Sequence, residues 1–589
     1  MLPIVKENLE FIYGKSAAET ILARLQTIVE KYRPPIEKIY QEKSKNRPGA
    51  TAELNEKTVF LITYPDQIRS EFCKPLEVLR NVADKYARDL INTIHILPFY
   101  PYSSDDGFSV IDYYSVNPEF GDWSDIEKLA QEYDLMFDAV INHISSKSLW
   151  FQEYLRGNPE YKDFFIEIDD DGFDFSNVFR PRALPLLTEF ETAQGRKKIW
   201  TTFSADQIDL NYKNPEVLLK VIDLLLFYAS KGASFIRLDA IAFLWKQSGT
   251  TCVSLQQTHK IVQIFRAILD YAAPFVKIIT ETNLPHSENI SYFGQGAIRE
   301  ADLVYNFPLP PLVLFTLLSK DATKLTRWVE SHSLERQEKK KVCYLNFLAS
   351  HDGIGVTPVS TILDKSELDL LIQQTLNRGG FVSYKSLPDG AKAPYELNIN
   401  YLDALSDGFN NIEQDINKFI AAHSIMLSLS GTPAVYFHSL FGSQGDRDAA
   451  IKSGIFRRIN RQKLYLEQFI QQMDDQCSIR QKVYQKLSLL LHTRRQISAF
   501  NPYGKQTAID AGKENFVLLR QSPSGDSTLI AITNISGKKN KFEITLPREY
   551  INTIWKSVFS LKEYRVKSDL KLKREINAYE TDWLQKILG

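Results

Sequence analysis

Hydrophobic positions change period several times along this chain of 589 residues, and each change marks a different kind of element. Over the first fifty-odd residues apolar and charged side chains alternate at helical spacing, and the polar, breaker-containing run 42–50 closes the segment. The pattern predicts a helical N-terminal extension ending in a linker, together residues 1–55. Short β-rich runs then alternate with helical stretches. Strands are predicted at Val59–Tyr64, Thr93–Phe99, Met136–Asn142, Ser234–Asp239, Lys277–Glu281, Leu303–Phe307, Cys343–Ser350 and Pro433–Phe437. Several are unbroken apolar runs, as strands buried on both faces require. Helical patterns such as Pro215–Ser230 and His259–Tyr271 lie between them. Eight β-then-α units predict an α/β fold, a (β/α)8 TIM barrel over 56–499, whose chemistry belongs at the C-terminal ends of its strands.

Two connections exceed the usual few residues. The aromatic and acidic stretch 144–204, after the third strand, predicts an inserted subdomain. The stretch 353–411, after the seventh, forms a second loop region and includes the Gly- and Pro-containing run 378–394. Long loops on a catalytic face shape the pocket. Beyond about Phe500, Phe516–Arg520, Ser527–Asn534, Lys541–Leu546 and Thr553–Val558 read as strands with turns between them and no helix. They predict a small antiparallel C-terminal β domain over 500–589. The stretch 419–437 carries no formal charge and nearly spans a bilayer in length. Its His423, three serines, Gly431, Thr432 and Pro433 argue instead for a helix, a turn and a short strand.

Composition narrows the classes. With 44% apolar, 24% charged and 12% aromatic residues the chain is ordinary globular protein. Lys+Arg 71 against Asp+Glu 72 leaves a net charge of -1. That balance excludes a nucleic-acid binder held by a global positive field, and a polybasic membrane binder. Cys73, Cys252, Cys343 and Cys477 lie far apart, with neither zinc spacing nor a disulfide framework, as in reduced thiols of a cytoplasmic protein. The N-terminus has no continuous apolar h-region, so no secretory signal is expected.

The polar residues at the predicted strand ends are Asp66, Asn142-His143, Arg237-Leu238-Asp239, Glu281 and His351-Asp352. One aspartate ending a strand is more often a helix cap or an ion-pair partner. Three carboxylates from the fourth, fifth and seventh strands, converging on one face, are harder to explain that way. Paired carboxyls suit glycosyl transfer, because one attacks the anomeric carbon while the other protonates the leaving oxygen. The acid must hold its proton near neutrality, which calls for an apolar or like-charged surrounding.

The runs FDAVINH, FIRLDAIAF, IITETN and LASHDGIG, in that order, resemble the four motifs of glycoside hydrolase family 13. LITYPDQI, IHILPFYPYSSDDGFSVIDYY, FRPRALPLLTEF, WTTFSADQIDL, DLVYNFPLPPL, PYELNINYLDAL, GTPAVYFHSLFGS and RRINR are similar to its sucrose-phosphorylase-like branch. The resemblance covers nearly the whole chain after the extension. It implies Asp239 as nucleophile, kept ionised by Arg237, Glu281 as general acid/base, and Asp352 as the transition-state carboxylate beside His351. It implies that Asp66, His143, Gln207 and Arg461 hold glucosyl hydroxyls and that Phe203 walls that subsite. Arg182 of the Arg-Pro-Arg run and Tyr395 are implied to bind the attacking phosphate, since a dianion among carboxylates needs a cationic fork.

Two positions depart from sucrose phosphorylase, Asn283 in place of a histidine and Phe243 in place of a tyrosine, which argues against sucrose. The extension and the run AFLWKQSGTTCVSLQQTH resemble the glucosylglycerate-specific members of the branch. The expected reaction is therefore retaining, reversible phosphorolysis of glucosylglycerate to α-glucose 1-phosphate and D-glycerate. Lys246 and Asn283 join Arg182 at the expected acceptor subsite, Lys246 to hold the glycerate carboxylate. No metal or cofactor is expected, and inorganic phosphate is a co-substrate. The expected partners are the sugar substrate, phosphate and a second copy of the chain as a homodimer, without nucleic acid or membrane. The rivals are phosphorylases of sucrose, sucrose 6'-phosphate or glucosylglycerol, a hydrolase or transglucosylase of the same fold, and a non-catalytic barrel serving as an accessory subunit.

Overall fold

In the computed structural model, eight parallel strands close on themselves in sequence order. They are β1 (Phe60–Thr63), β2 (Thr93–Ile96), β3 (Asp134–Ala139), β4 (Ala233–Leu238), β5 (Lys277–Thr280), β6 (Leu303–Tyr305), β7 (Cys343–Asn346) and β8 (Thr432–Tyr436). Residues 2–47, 53–168, 172–333, 341–387 and 390–587 are described. All eight strands fall where the apolar runs place them, and nearly every strand residue is buried. This is the (β/α)8 barrel. Register sets the chemistry: Arg237 of β4 stands opposite Asp138 of β3 and Ile279 of β5. Arg237 therefore enters the barrel beside a buried carboxylate.

Helices cover the outside, among them Pro215–Ser230, as its apolar spacing predicts, and Gln256–Ala272. The uncharged stretch 419–437 is divided between the helix Ile412–Ser428, a turn and β8. No helix among the described residues is long and apolar enough to cross a membrane.

The extension forms two helices, α1 (Leu2–Tyr13) and α2 (Lys15–Asn46). The expected linker begins later than its polar composition suggests, because 42–46 remain helical and only 48–52 lie outside the described residues. The reason is Lys43. Its ammonium donates to the Gly232 carbonyl and, at 2.9 Å, to Ser234 Oγ, beside Asp134 at the N-terminal mouth of the barrel. A polar helix end is thus anchored by buried hydrogen bonds.

The two long connections meet over the strand ends. The first carries the hairpin Leu187–Thr192 with Gly195–Trp200, and the second the hairpin Phe381–Ser386 with Lys392–Asn398. A bridge between Arg180 and Ser386 joins them. At the C-terminus a six-stranded antiparallel sheet and a separate pair, Asn540–Thr545 with Lys571–Ile576, replace the four strands expected. The seam with the barrel contains two buried arginines that donate to backbone carbonyls. Arg494 donates to the carbonyls of Glu56, Leu427 and Phe500, and Arg520 to those of Ser428, Asn501 and Lys505.

Candidate active site

At the C-terminal mouth of the barrel, Asp239 directly follows β4, Glu281 directly follows β5, and His351-Asp352 follow β7. All three carboxylates line one pocket. Arg237 Nη1 bridges Asp138 and Asp239, 2.7 Å from Asp239 Oδ1. Ala240, the next residue, holds a left-handed backbone at φ 48, a conformation costly for a residue with a Cβ. That turn aims the Ala240 N–H at Glu281 Oε2, 3.0 Å away.

Burial, and the negative charge of the other acids, push both Asp239 and Glu281 up to about 7. The pair therefore retains one proton near neutrality. The direct bond from Arg237 favours the ionised form of Asp239, so the proton resides on Glu281. Asp352 behaves oppositely. Burial opposes its charge, but Arg457, Arg461 and Arg182 hold it well below the usual carboxylate range. Arg457 Nη1 lies 2.6 Å and Arg461 Nη2 3.2 Å from Asp352 Oδ1. Burial lowers His351 to about 3, so it is neutral, with its ring stacked on Phe108 at 4.8 Å.

Beside the acids, His143 begins a short strand, His143–Ser145, paired with Gln207–Asp209. His143 Nε2 bonds the Phe108 carbonyl at 2.8 Å, and Gln207 Nε2 lies 3.2 Å from the same ring nitrogen. Phe203 packs against His143 at 5.2 Å and Phe243 at 5.4 Å. On the outer side stand Arg182, Tyr395 and Asn283. Among the described residues the Arg182 guanidinium takes no hydrogen-bond or ion-pair partner. Burial keeps the Tyr395 hydroxyl protonated, hence a donor. Asn283 packs so tightly on Gly355 that a Cβ there would meet its Oδ1 at 2.7 Å. That oxygen is buried without a partner.

Three expected residues do not line the pocket: Lys246, Asp66, and Arg461, whose guanidinium is taken up by Asp105, Asp106 and Asp352. Lys246 is turned away from the acceptor side: its ammonium pairs with Asp209 and donates to Asn142 Oδ1 at 3.1 Å, and it is 3% exposed. A lysine held by a buried carboxylate is not free for a ligand carboxylate. Asp66 pairs with Lys463 and with Arg69 at 2.6 Å, outside the pocket lining.

Asp105 lines the pocket, receives Arg461 Nη1 at 3.2 Å and faces Gln207. Asp105 sits on a loop past β2 with φ 50, so strand-end reasoning passes over it. The signal is the doubled aspartate before glycine in SSDDGF. Arg457 and Glu396 are also pocket residues that strand-end reasoning misses. They lie within the runs RRINR and PYELN, Glu396 one residue from Tyr395 and Arg457 four residues from Arg461.

The catalytic domain of alpha-amylase matches residues 82–371. A glucosylglycerate phosphorylase of Spirochaeta thermophila is 44% identical over 586 residues, 98% of this chain and 98% of that protein. One of Escherichia coli is 42% identical over 542 residues, 92% of this chain and 94% of that protein. The solved structure of sucrose 6F-phosphate phosphorylase from Thermoanaerobacter thermosaccharolyticum superposes with a TM-score of 0.72 at 25% identity, covering 88% of this chain and 99% of that one. With a barrel of this topology and relatives of this closeness along its whole length, the chain belongs to glycoside hydrolase family 13, the alpha-amylase family, in its phosphorylase branch.

Proposed function

We propose that the chain is a retaining α-glucoside phosphorylase acting on glucosylglycerate. Asp239 attacks the anomeric carbon as the bond to the glycerate oxygen breaks, and Glu281 gives its proton to that oxygen. The product is a glucosyl ester of Asp239 and free glycerate. Phosphate then attacks the same carbon from the face glycerate left. Glu281 accepts the proton of the incoming oxygen, Asp239 departs, and α-glucose 1-phosphate forms. Two inversions give retention. Asp352, ionised throughout, faces the positive charge that develops on the sugar.

The observation that carries the reading is Arg182, an unpartnered guanidinium beside the Tyr395 hydroxyl in a pocket otherwise rich in carboxylates. Water needs no such cation. A phosphate dianion does, and one charge-assisted contact is worth about 1.5–3 kcal/mol. The names of the relatives support glycerate as the acceptor. The test is release of glucose and glucose 1-phosphate from glucosylglycerate with and without inorganic phosphate. Turnover should require phosphate, and Arg182→Ala should raise the KM for phosphate about tenfold or more while hydrolysis persists. Equal glucose release with and without phosphate would sink the proposal.

A further inference from the structure

Arg182, Arg237 and Arg457 line the pocket, and their ties differ. Arg237 is committed to Asp138 and Asp239. Arg182 is uncommitted. Arg457 is gripped from behind: Nε and Nη2 donate to the two oxygens of Glu396 at 2.9 and 2.8 Å. This leaves Nη1 turned toward Asp352 Oδ1. Glu396 is only 1% exposed, so the pivot of this guanidinium is fixed.

The contact with Asp352 is of another kind. Arg461 Nη2 shares the same Oδ1 at 3.2 Å, so Asp352 keeps a cationic partner if Nη1 turns away. Arg457 also reaches the other side of the site. Glu396 follows Tyr395 on the strand Lys392–Asn398, and the Tyr395 hydroxyl lies within the electrostatic reach of Arg182, Arg457 and Glu281. Two arginines and a hydroxyl donor are thus gathered beside the group that exchanges a proton with the incoming or departing oxygen. Lys246 is occupied by Asp209.

We propose that Arg457 is the second arm of the anion subsite, turning its Nη1 edge from Asp352 to the phosphate in one half-reaction and to the acceptor carboxylate in the other. Arg182 is the first arm, Tyr395 the neutral donor, and Glu396 the positioning residue that fixes the fork. The proposal rests on the phosphorylase reading above. It accounts for how one pocket accepts two different anions in turn: both present oxygens that a planar guanidinium receives. An acceptor without a negative charge leaves this edge on Asp352 and gains nothing from it.

The test uses α-glucosyl fluoride as donor, so that no anion but fluoride enters with the sugar, and offers phosphate, D-glycerate, glycerol or water as acceptor. Arg457→Gln should raise the KM for phosphate and for D-glycerate about tenfold or more, and keep the wild-type ratio of glycerol transfer to hydrolysis. Glu396→Gln should shift both anion KM values in the same sense with the arginine still present. Arg457→Lys should restore part of the anion affinity without the fork. An equal fall in all four reactions would mean that Arg457 only holds Asp352, and would overturn the proposal. So would unchanged preference for glycerate over glycerol. A wild type indifferent to phosphate defeats the phosphorylase reading separately, because the glycerate-to-glycerol ratio still reports on Arg457.

Discussion

At Asp239 and Glu281, burial and mutual repulsion act in one direction, and this couples activity to stability. Burial and the neighbouring acids raise the pair toward about 7 in the folded chain, above ordinary carboxyls. The folded state therefore binds protons more tightly than the unfolded one, and stability falls as pH rises from about 4 to 7. Asp352, held below its ordinary range, has the opposite sign and costs stability only in acid. Glu281→Gln removes the unfavourable charge while keeping the shape. Its Tm should exceed that of the wild type at pH 8, by a gain on the order of a few kcal/mol, and the gain should shrink at pH 5. Over the same range wild-type kcat/KM should fall as pH rises through about 7, when Glu281 loses the proton it must donate. Thermal melts at the two pH values check the first claim and a pH–rate profile the second. A variant less stable than wild type at pH 8 would show that Glu281 carries a structural role the charge argument omits.

Among the elements, α2 illustrates where polar composition misleads. Glu42–Asn46 reads as a linker because it is rich in Lys and Glu, yet buried hydrogen bonds from Lys43 keep it helical against the barrel floor. Lys43→Ala should destabilise the fold by about 1–3 kcal/mol, the cost of leaving the Gly232 carbonyl unpaired. KM and kcat should not change, because the strands present their chemistry at the opposite end. Denaturant melts with parallel kinetics decide it. The barrel strands are legible because doubly buried strands are continuous apolar runs. The edge strand Lys571–Ile576 is not, since it alternates charged and buried positions and resembles surface chain. Strand-end reasoning selects Asp239, Glu281 and Asp352, which line the pocket, and by the same rule Asp66, which pairs with Lys463 and Arg69 outside the lining. It follows position along a strand, whereas Asp105 is brought in by a loop that only Arg461 and the tertiary fold locate.

At the level of the whole molecule, barrel and C-terminal sheet are joined by arginine side chains that reach backbone, alongside the Lys513–Asp321 ion pair. Arg494 collects carbonyls from three separate stretches of chain. Arg494→Met would leave the buried Leu427 and Phe500 carbonyls without that donor, at about 1–3 kcal/mol each. We expect one cooperative thermal transition in the wild type, and in the variant a lower Tm with the C-terminal sheet melting first, read by calorimetry. Two resolved transitions in the wild type would contradict the seam as described.

The same seam bears on recombination. Backbone carbonyls carry no side-chain identity, so a foreign C-terminal sheet grafted after Phe500 would look compatible with this barrel in any comparison of surface residues. A graft lacking the counterpart of Arg520 would nevertheless leave the Ser428 carbonyl buried without that donor. The sheet is thus not an interchangeable module, and chimeras of such barrels are best cut outside the two arginines.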